Sequence, residues 1–124
     1  MKILLDSWAW LEYFAGTPAS EAISQEINGA EEIITAATNL FEVAHRVRSK
    51  EGAEASAKAV AAISANARVV AVDSSVALEA VGVRHEYGLH AMDALALAAA
   101  RLNDAVLITG DPHFKGVKGA RLVA

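Results

Sequence analysis

Short apolar runs alternating with longer helix-forming stretches predict an α/β fold: a three-layer α/β/α sandwich with a central, twisted parallel sheet. Three observations support this. The runs KILLD, EIIT, RVVAV and AVLIT are short and rich in branched residues, and segments of helical length and helical composition separate them. Parallel neighbours need crossover connections, which such helices supply in the right-handed sense on both faces of a sheet. A hydrophobic fraction of 54% with only 6% aromatic residues describes a core of Ala, Val, Leu and Ile, and 124 residues suffice for one such core, so residues 1–124 read as a single domain.

In chain order, residues 2 to 6 read as a buried strand, and Ser7 caps a helix from Trp8 to about Ala15 that Gly-Thr-Pro at 16–18 breaks. A second helix spans about Ala19 to Asn28, and Gly29 leads into a strand over Glu32 to Thr35. A helix from about Ala37 to Lys50 ends before the turn at Gly52, and an alanine-rich helix over about Ala53 to Asn66 returns the chain to the strand RVVAV. Asp73 and Ser74 open a further helix that runs to Tyr87 and stops at Gly88. The chain closes with a helix over about Ala91 to Asn103, the strand AVLIT, a Gly-Asp-Pro loop and a short strand at Ala120 to Val123. No internal repeat, linker or low-complexity tail interrupts this order.

Composition excludes several chemistries. Without cysteine there is no disulfide, thiolate metal site or cysteine nucleophile, so any metal is held by oxygen or imidazole. The opening MKILLD meets an acid after a few apolar residues, too soon for a signal peptide or membrane span, and predicts a soluble cytoplasmic protein without membrane association. A net charge of -4 argues against a nucleic-acid coating protein but leaves room for an RNA-cleaving enzyme, in which acids serve a metal while Arg46, Arg48 and Lys50 meet phosphates.

Asp6, Glu42, Asp93 and Asp111 stand where a carboxylate serves a divalent metal better than it serves folding, which points to phosphodiester chemistry. In open parallel sheets, ligands bind beyond the carboxyl ends of the strands where strand order reverses. Asp6 and Asp111 both follow strand ends, and they share one crevice if the first and fourth strands are neighbours. Glu42 and Asp93 must then arrive on helices. Each acid also has a plainer reading. Asp93 sits in the first turn of a helix apolar nearly all round, where the helix dipole favours it; if buried and unpaired, it would cost several kcal/mol on the order of magnitude, and must be protonated, paired or metal-bound. Asn39 to Glu42 has capping-box spacing if its helix begins only at Leu40, Gly-Asp-Pro is an ordinary turn, and Asp6 could cap a helix. Asp104, roughly 16 Å further along the axis of the Asp93 helix, cannot share a site with Asp93.

Trp8, Trp10 and Tyr13 concentrate aromatic surface beside Asp6. Trp10, Tyr13 and Phe14 have the spacing of core or dimer packing, with base stacking as the other use. His45, His90 and His113 lack a paired ligand spacing and read as structural or as supports to the acids.

Taken together, ILLDSW, TNLFEVAHR, AMDALALAAA and LITGDPHF resemble, over essentially the whole chain, a PIN domain, specifically the small VapC-type toxin ribonucleases of type II toxin-antitoxin pairs. The resemblance implies the PIN-like sheet order 3-2-1-4-5. It also implies an endoribonuclease using Mg²⁺ or Mn²⁺ to hydrolyse RNA, with Asp6, Asp93 and Asp111 binding metal and Glu42 binding metal or positioning water. Thr109 matches the hydroxyl-bearing position before the last acid, Ser7 stands in another beside the first, and Arg46 and Trp8 are RNA-binding candidates. Homodimerisation and inhibition by a cognate VapB-like antitoxin are implied as well, and a free-standing RNA-processing nuclease is the alternative within the family. A phosphoacceptor receiver domain is the rival of another class, with Asp73 as acceptor. It would need an acidic pair where Asp6 is followed by Ser7, and a lysine that the last strand lacks. A non-catalytic interaction domain is the third reading, and it leaves Asp93 without a partner.

Overall fold

Two faces of one sheet sort the apolar residues of each strand, as the two-residue period of extended chain requires. The computed structural model describes residues 1–123; Ala124, the last residue of the expected domain, lies outside the described residues. The elements are β1 (Lys2–Leu5), α1 (Ser7–Ala15), α2 (Ser20–Gly29), β2 (Glu32–Ala36), α3 (Ala37–Glu51), α4 (Ala53–Asn66), β3 (Arg68–Val70), α5 (Ser74–Tyr87), α6 (Ala91–Leu102), β4 (Ala105–Thr109), a single 3-10 turn over Pro112–Phe114, and β5 (Ala120–Leu122). The strands form one all-parallel sheet of order β3-β2-β1-β4-β5, as expected.

Leu4, Ile34, Val70 and Leu107 pack on one face against α5 and α6, whose Val76, Ala80, Val83 and Leu97 complete that core. Ile3, Leu5 and Ile108 pack on the other face against Trp10, Ile23, Val43, Val47 and Ile63 from α1 to α4. The alanines of α6 let it lie close on the sheet, and Ala96 to Ala100 are buried with it. No helix among the described residues is long and apolar enough to cross a membrane.

Local boundaries depart from the sequence expectation at functional places. β1 ends at Leu5, and Asp6 rather than Ser7 is the N-cap of α1: its Oδ1 accepts the Ala9 amide at 2.9 Å, while Ser7 is the first helical residue. The pairing of β1 ends at Leu5, so Asp6 is the residue with extended backbone where α1 starts, and its carboxyl oxygen takes the unpaired amide there. α3 begins at Ala37, so the proposed Asn39–Glu42 capping box does not form; the Asn39 side chain instead accepts the Ala36 amide at 3.1 Å, and Glu42 is freed from a capping role. β3 stops at Val70 instead of continuing through RVVAV, and Asp73 caps α5 by accepting the Val76 amide at 3.1 Å. That capping bond is the simpler use of Asp73, against the phosphoacceptor reading.

A buried polar relay ties α1 to the sheet. Trp10 Nε1 donates to Thr35 Oγ1 at 3.1 Å, and the Thr35 hydroxyl donates to the Leu5 carbonyl at 2.7 Å. Both side chains are fully enclosed, so each bond replaces water that cannot enter. The relay fixes the peptide immediately before Asp6. We expect Thr35→Val to lower unfolding stability by about 1–3 kcal/mol, because the isosteric methyl leaves the Trp10 indole N–H without an acceptor, and Thr35→Ser to lose less; urea denaturation of the three proteins measures the difference.

Candidate active site

The register of β1 and β4 places Leu5 opposite Ile108, so the chain leaves the sheet with Asp6 and Thr109 side by side. Asp111 follows two residues later and caps the turn over Pro112–Phe114. α3, which follows β2 directly, carries Glu42, and the first turn of α6 carries Asp93. Asp6 lies within electrostatic reach of Asp93 and Glu42, and Asp93 within reach of Asp111 and Glu42. The four acids, scattered over more than a hundred residues of chain, therefore belong to one electrostatic neighbourhood.

Burial falls on a different acid from the one the sequence suggested. Asp93 is half-buried, whereas Asp6 is only 7% exposed. Desolvation pushes the Asp6 carboxyl up to about 7; the adjoining Thr109 hydroxyl and the Ala9 amide pull it down, and repulsion from Asp93 and Glu42 raises it further. Asp93 is also raised, by desolvation first and then by Asp111 and Glu42, with His90 and His113 acting in the opposite sense. Among the described residues no Lys or Arg pairs with Asp6, Glu42 or Asp93.

Thr109 does two things at this edge. Besides adjoining Asp6, its buried Oγ1 accepts the Asp111 amide at 3.2 Å and so shapes the turn into the last acid. Asp111 Oδ1 accepts the His113 amide at 2.9 Å and lies 2.8 Å from His113 Nδ1. The His113 ring meets His90 edge to face at 6.0 Å between centroids. His90 and His113 thus adjoin the acids, which ligand-spacing rules did not reveal. The available signal was position, since His90 precedes Asp93 by three residues and His113 follows Asp111 by two. His45 instead stacks on Phe41, at 5.8 Å between ring centroids.

The donor set is oxygen-rich and negative, and it suits a hard divalent cation. Thr38 Oγ1, one helical turn before Glu42 on the same face of α3, is enclosed without a hydrogen-bond partner. No three carboxyl or imidazole groups among the described residues already converge as a formed metal cage. Magnesium, which keeps several of its waters and binds through one or two carboxylates, does not require such a cage.

Trp8 and Arg46 lie beside this edge, where they line a cavity together with Ser7, Leu11 and Glu12. Arg48 is exposed on α3. Trp10, by contrast, is buried and stacks on Phe14 at 5.8 Å between ring centroids, which is the packing alternative of the sequence reading.

The family model for the PIN domain matches residues 3–120. By sequence, the chain matches no curated protein. Among solved structures, a toxin-antitoxin complex from Klebsiella pneumoniae aligns with a TM-score of 0.82 at 20% identity, over 98% of each chain. VapC20 of Mycobacterium tuberculosis, described as a toxin that cleaves the sarcin-ricin loop, aligns with a TM-score of 0.73 at 21% identity over 94% of this chain and 95% of that one. VapBC-1 from nontypeable Haemophilus influenzae aligns with a TM-score of 0.75 at 17% identity over 98% of each. At these identities the likeness is one of fold.

The raised Asp6 carboxyl makes stability depend on pH. Between the ordinary carboxylate value of 3.8 and about 7 the folded state holds a proton that the unfolded chain releases, so this contribution is complete below that window and is lost as pH rises through it. We expect the protein in EDTA to lose stability on the order of a few kcal/mol between pH 4 and pH 7. Asp6→Asn should flatten that slope, since asparagine caps a helix as well as aspartate does. Urea unfolding across the pH range checks this; an identical slope in the variant would remove Asp6 as its source.

Proposed function

Because the chain belongs to the PIN domain family, we propose that it is a divalent-metal-dependent endoribonuclease, the toxin of a toxin-antitoxin pair acting on cytoplasmic RNA. The observation that carries this reading is the Asp6 carboxyl, buried beside Asp93 and Glu42 with no lysine or arginine among the described residues paired to any of the three. A purely structural acid in that position would be kept protonated or paired with a cation, whereas several acids gathered at one edge suit a bound divalent metal.

Asp6, Asp93 and Asp111 would hold Mg²⁺ or Mn²⁺, and Glu42 would bind the metal or position the attacking water. When bound, the cation activates water and offsets charge gathering on the phosphoryl oxygens. The surrounding residues keep the acids in place. The Ala9 amide and the Thr109 hydroxyl hold Asp6, Thr109 orients the turn that carries Asp111, and His113 fixes the Asp111 carboxylate from the solvent side. Ser7 supplies a second hydroxyl at the mouth, on the first turn of α1.

The K. pneumoniae and H. influenzae structures are toxin-antitoxin complexes, which supports a VapB-like antitoxin as partner here. Homodimerisation is part of the same reading, and the exposed Leu78 and Val81 on α5 supply apolar surface for it. A free-standing PIN nuclease in RNA processing would use the same acids without an antitoxin.

Cleavage of total RNA by the purified, antitoxin-free protein should require Mg²⁺ or Mn²⁺. Outer-shell partners of a metal are typically worth about 10–100-fold, so removing a ligand by Asp6→Asn or Asp93→Asn should reduce cleavage by at least about 100-fold with the fold retained. Full metal-dependent cleavage by both variants would exclude these roles. Inhibition supplies a second measurement. A guanidinium pairs with two carboxylate oxygens where a cation would sit, so an antitoxin inserting an arginine among the acids should bind more weakly as metal rises at constant ionic strength. Affinity constant through metal saturation would place inhibition elsewhere, for instance at RNA access.

A further inference from the structure

Beside the acids, α1 and α3 flank an open cavity of ≈ 350 Å³ lined by Ser7, Trp8, Leu11, Glu12 and Arg46. Trp8, Leu11 and Glu12 occupy one face of α1 by their three- and four-residue spacing. Arg46 stands one helical turn, ~5.4 Å, beyond Glu42 on α3. The Trp8 ring lies against Gly110, the residue between Thr109 and Asp111. A Cβ at Gly110 would collide with three atoms of that ring, so only glycine lets the indole cover this turn. Glu12 and Arg46 face the cavity from opposite helices, yet neither side chain is ion-paired among the described residues.

We propose that this cavity is a nucleobase subsite: it takes one unstacked base adjoining the scissile phosphate, stacked on Trp8, with Glu12 reading the base edge and Arg46 meeting a neighbouring phosphate. The assignment rests on the nuclease reading above and names how that site selects RNA. Single-stranded RNA is recognised by splayed bases stacked on aromatic rings and hydrogen-bonded along their Watson–Crick edges. The volume lies at the small end of the roughly 300–1,000 Å³ typical of small-ligand pockets, which suits one base and not a folded element. An apolar peptide side chain would cover Glu12 and Arg46 without pairing either, whereas a nucleotide supplies both an N–H edge and a phosphate.

The Glu12 carboxylate accepts hydrogen bonds and donates none, so it selects a base by its donors. Guanine presents N1–H and N2–H₂ side by side, matching the two carboxylate oxygens. Uracil presents one N–H between two carbonyl oxygens, which the carboxylate repels. The order is therefore guanine first and uracil last.

The test uses Asp93→Asn protein, so that RNA is bound and not consumed, and short fluorescent oligouridines carrying one central guanosine, adenosine, cytidine or uridine. Base–aromatic stacking is worth about 1–3 kcal/mol by alanine substitution, so Trp8→Ala should weaken binding of the guanosine oligomer by roughly 5- to 150-fold. Trp8→Phe should retain most of the affinity, and Glu12→Gln should bring guanosine and uridine oligomers closer together. Thermal unfolding checks that each variant folds; if Trp8→Ala does not, Trp8→Phe and Glu12→Gln still decide the matter. Unchanged affinity in Trp8→Ala, or a base order that Glu12→Gln leaves intact, overturns the subsite and leaves the cavity to a protein partner. The two readings separate cleanly. RNA cleavage by the unsubstituted protein with no effect of Trp8 or Glu12 sinks the subsite alone, while base-selective binding that needs both, without metal-dependent cleavage, sinks the nuclease alone.

Discussion

Parallel pairing of β1 with β4 sets Leu5 opposite Ile108, and the chemistry of the carboxyl edge depends on that register. A shift of β1 by one residue would turn Leu5 out of the α1–α4 core and carry Asp6 away from Thr109. The register is secured from both sides. Ile3, Leu4, Leu5, Leu107 and Ile108 are fully buried, and the Trp10–Thr35–Leu5 relay adds directional bonds at the end of β1. Where the strand stops, the unpaired amides of α1 need an acceptor, and Asp6 supplies it. One carboxylate thus ends a strand, starts a helix and faces the other acids.

Those combined duties explain why the acids tolerate each other. Burial and mutual repulsion both oppose ionisation of Asp6, while the Ala9 amide and the Thr109 hydroxyl favour it. Asp93 stands in a similar balance, with His90 and His113 offsetting desolvation and the charges of Asp111 and Glu42. Among the described residues no lysine or arginine pairs with these acids to close the balance. Glu42 and Arg46 then place opposite charges one turn apart on α3, the first toward the acids and the second in the adjoining cavity. A basic side chain in the acid cluster itself would compete with any metal there.

Much of this was legible in the residues because its determinants are local. Alternation of branched runs with helical segments sets the layers, Gly88 ends α5 by adopting a left-handed φ of 69°, and the strands and helices lie within a few residues of their expected bounds. The misjudged places are those where two local signals compete. Asp6 and Ser7 are both good caps, and the choice between them depended on where β1 lost its pairing to β2 and β4. Asn39 could open a helix or sit inside one, and the continuity of β2 into α3 decided for the latter.

By itself, the sequence determined the layered α/β class, the order of elements, the four acids and the exclusion of cysteine chemistry, since these follow from periodicity, composition and residue type. Which acid is desolvated was decided by tertiary structure: burial of Asp6 comes from elements far away in the chain, and Asp93 is left half-buried at the partly exposed start of α6. The contact of Trp8 with Gly110, the meeting of the His90 and His113 rings, and the cavity between α1 and α3 are likewise long-range products. Local propensity is blind to them, because the distance between two side chains is set by the packing of the helices and strands that carry them and not by their separation along the chain.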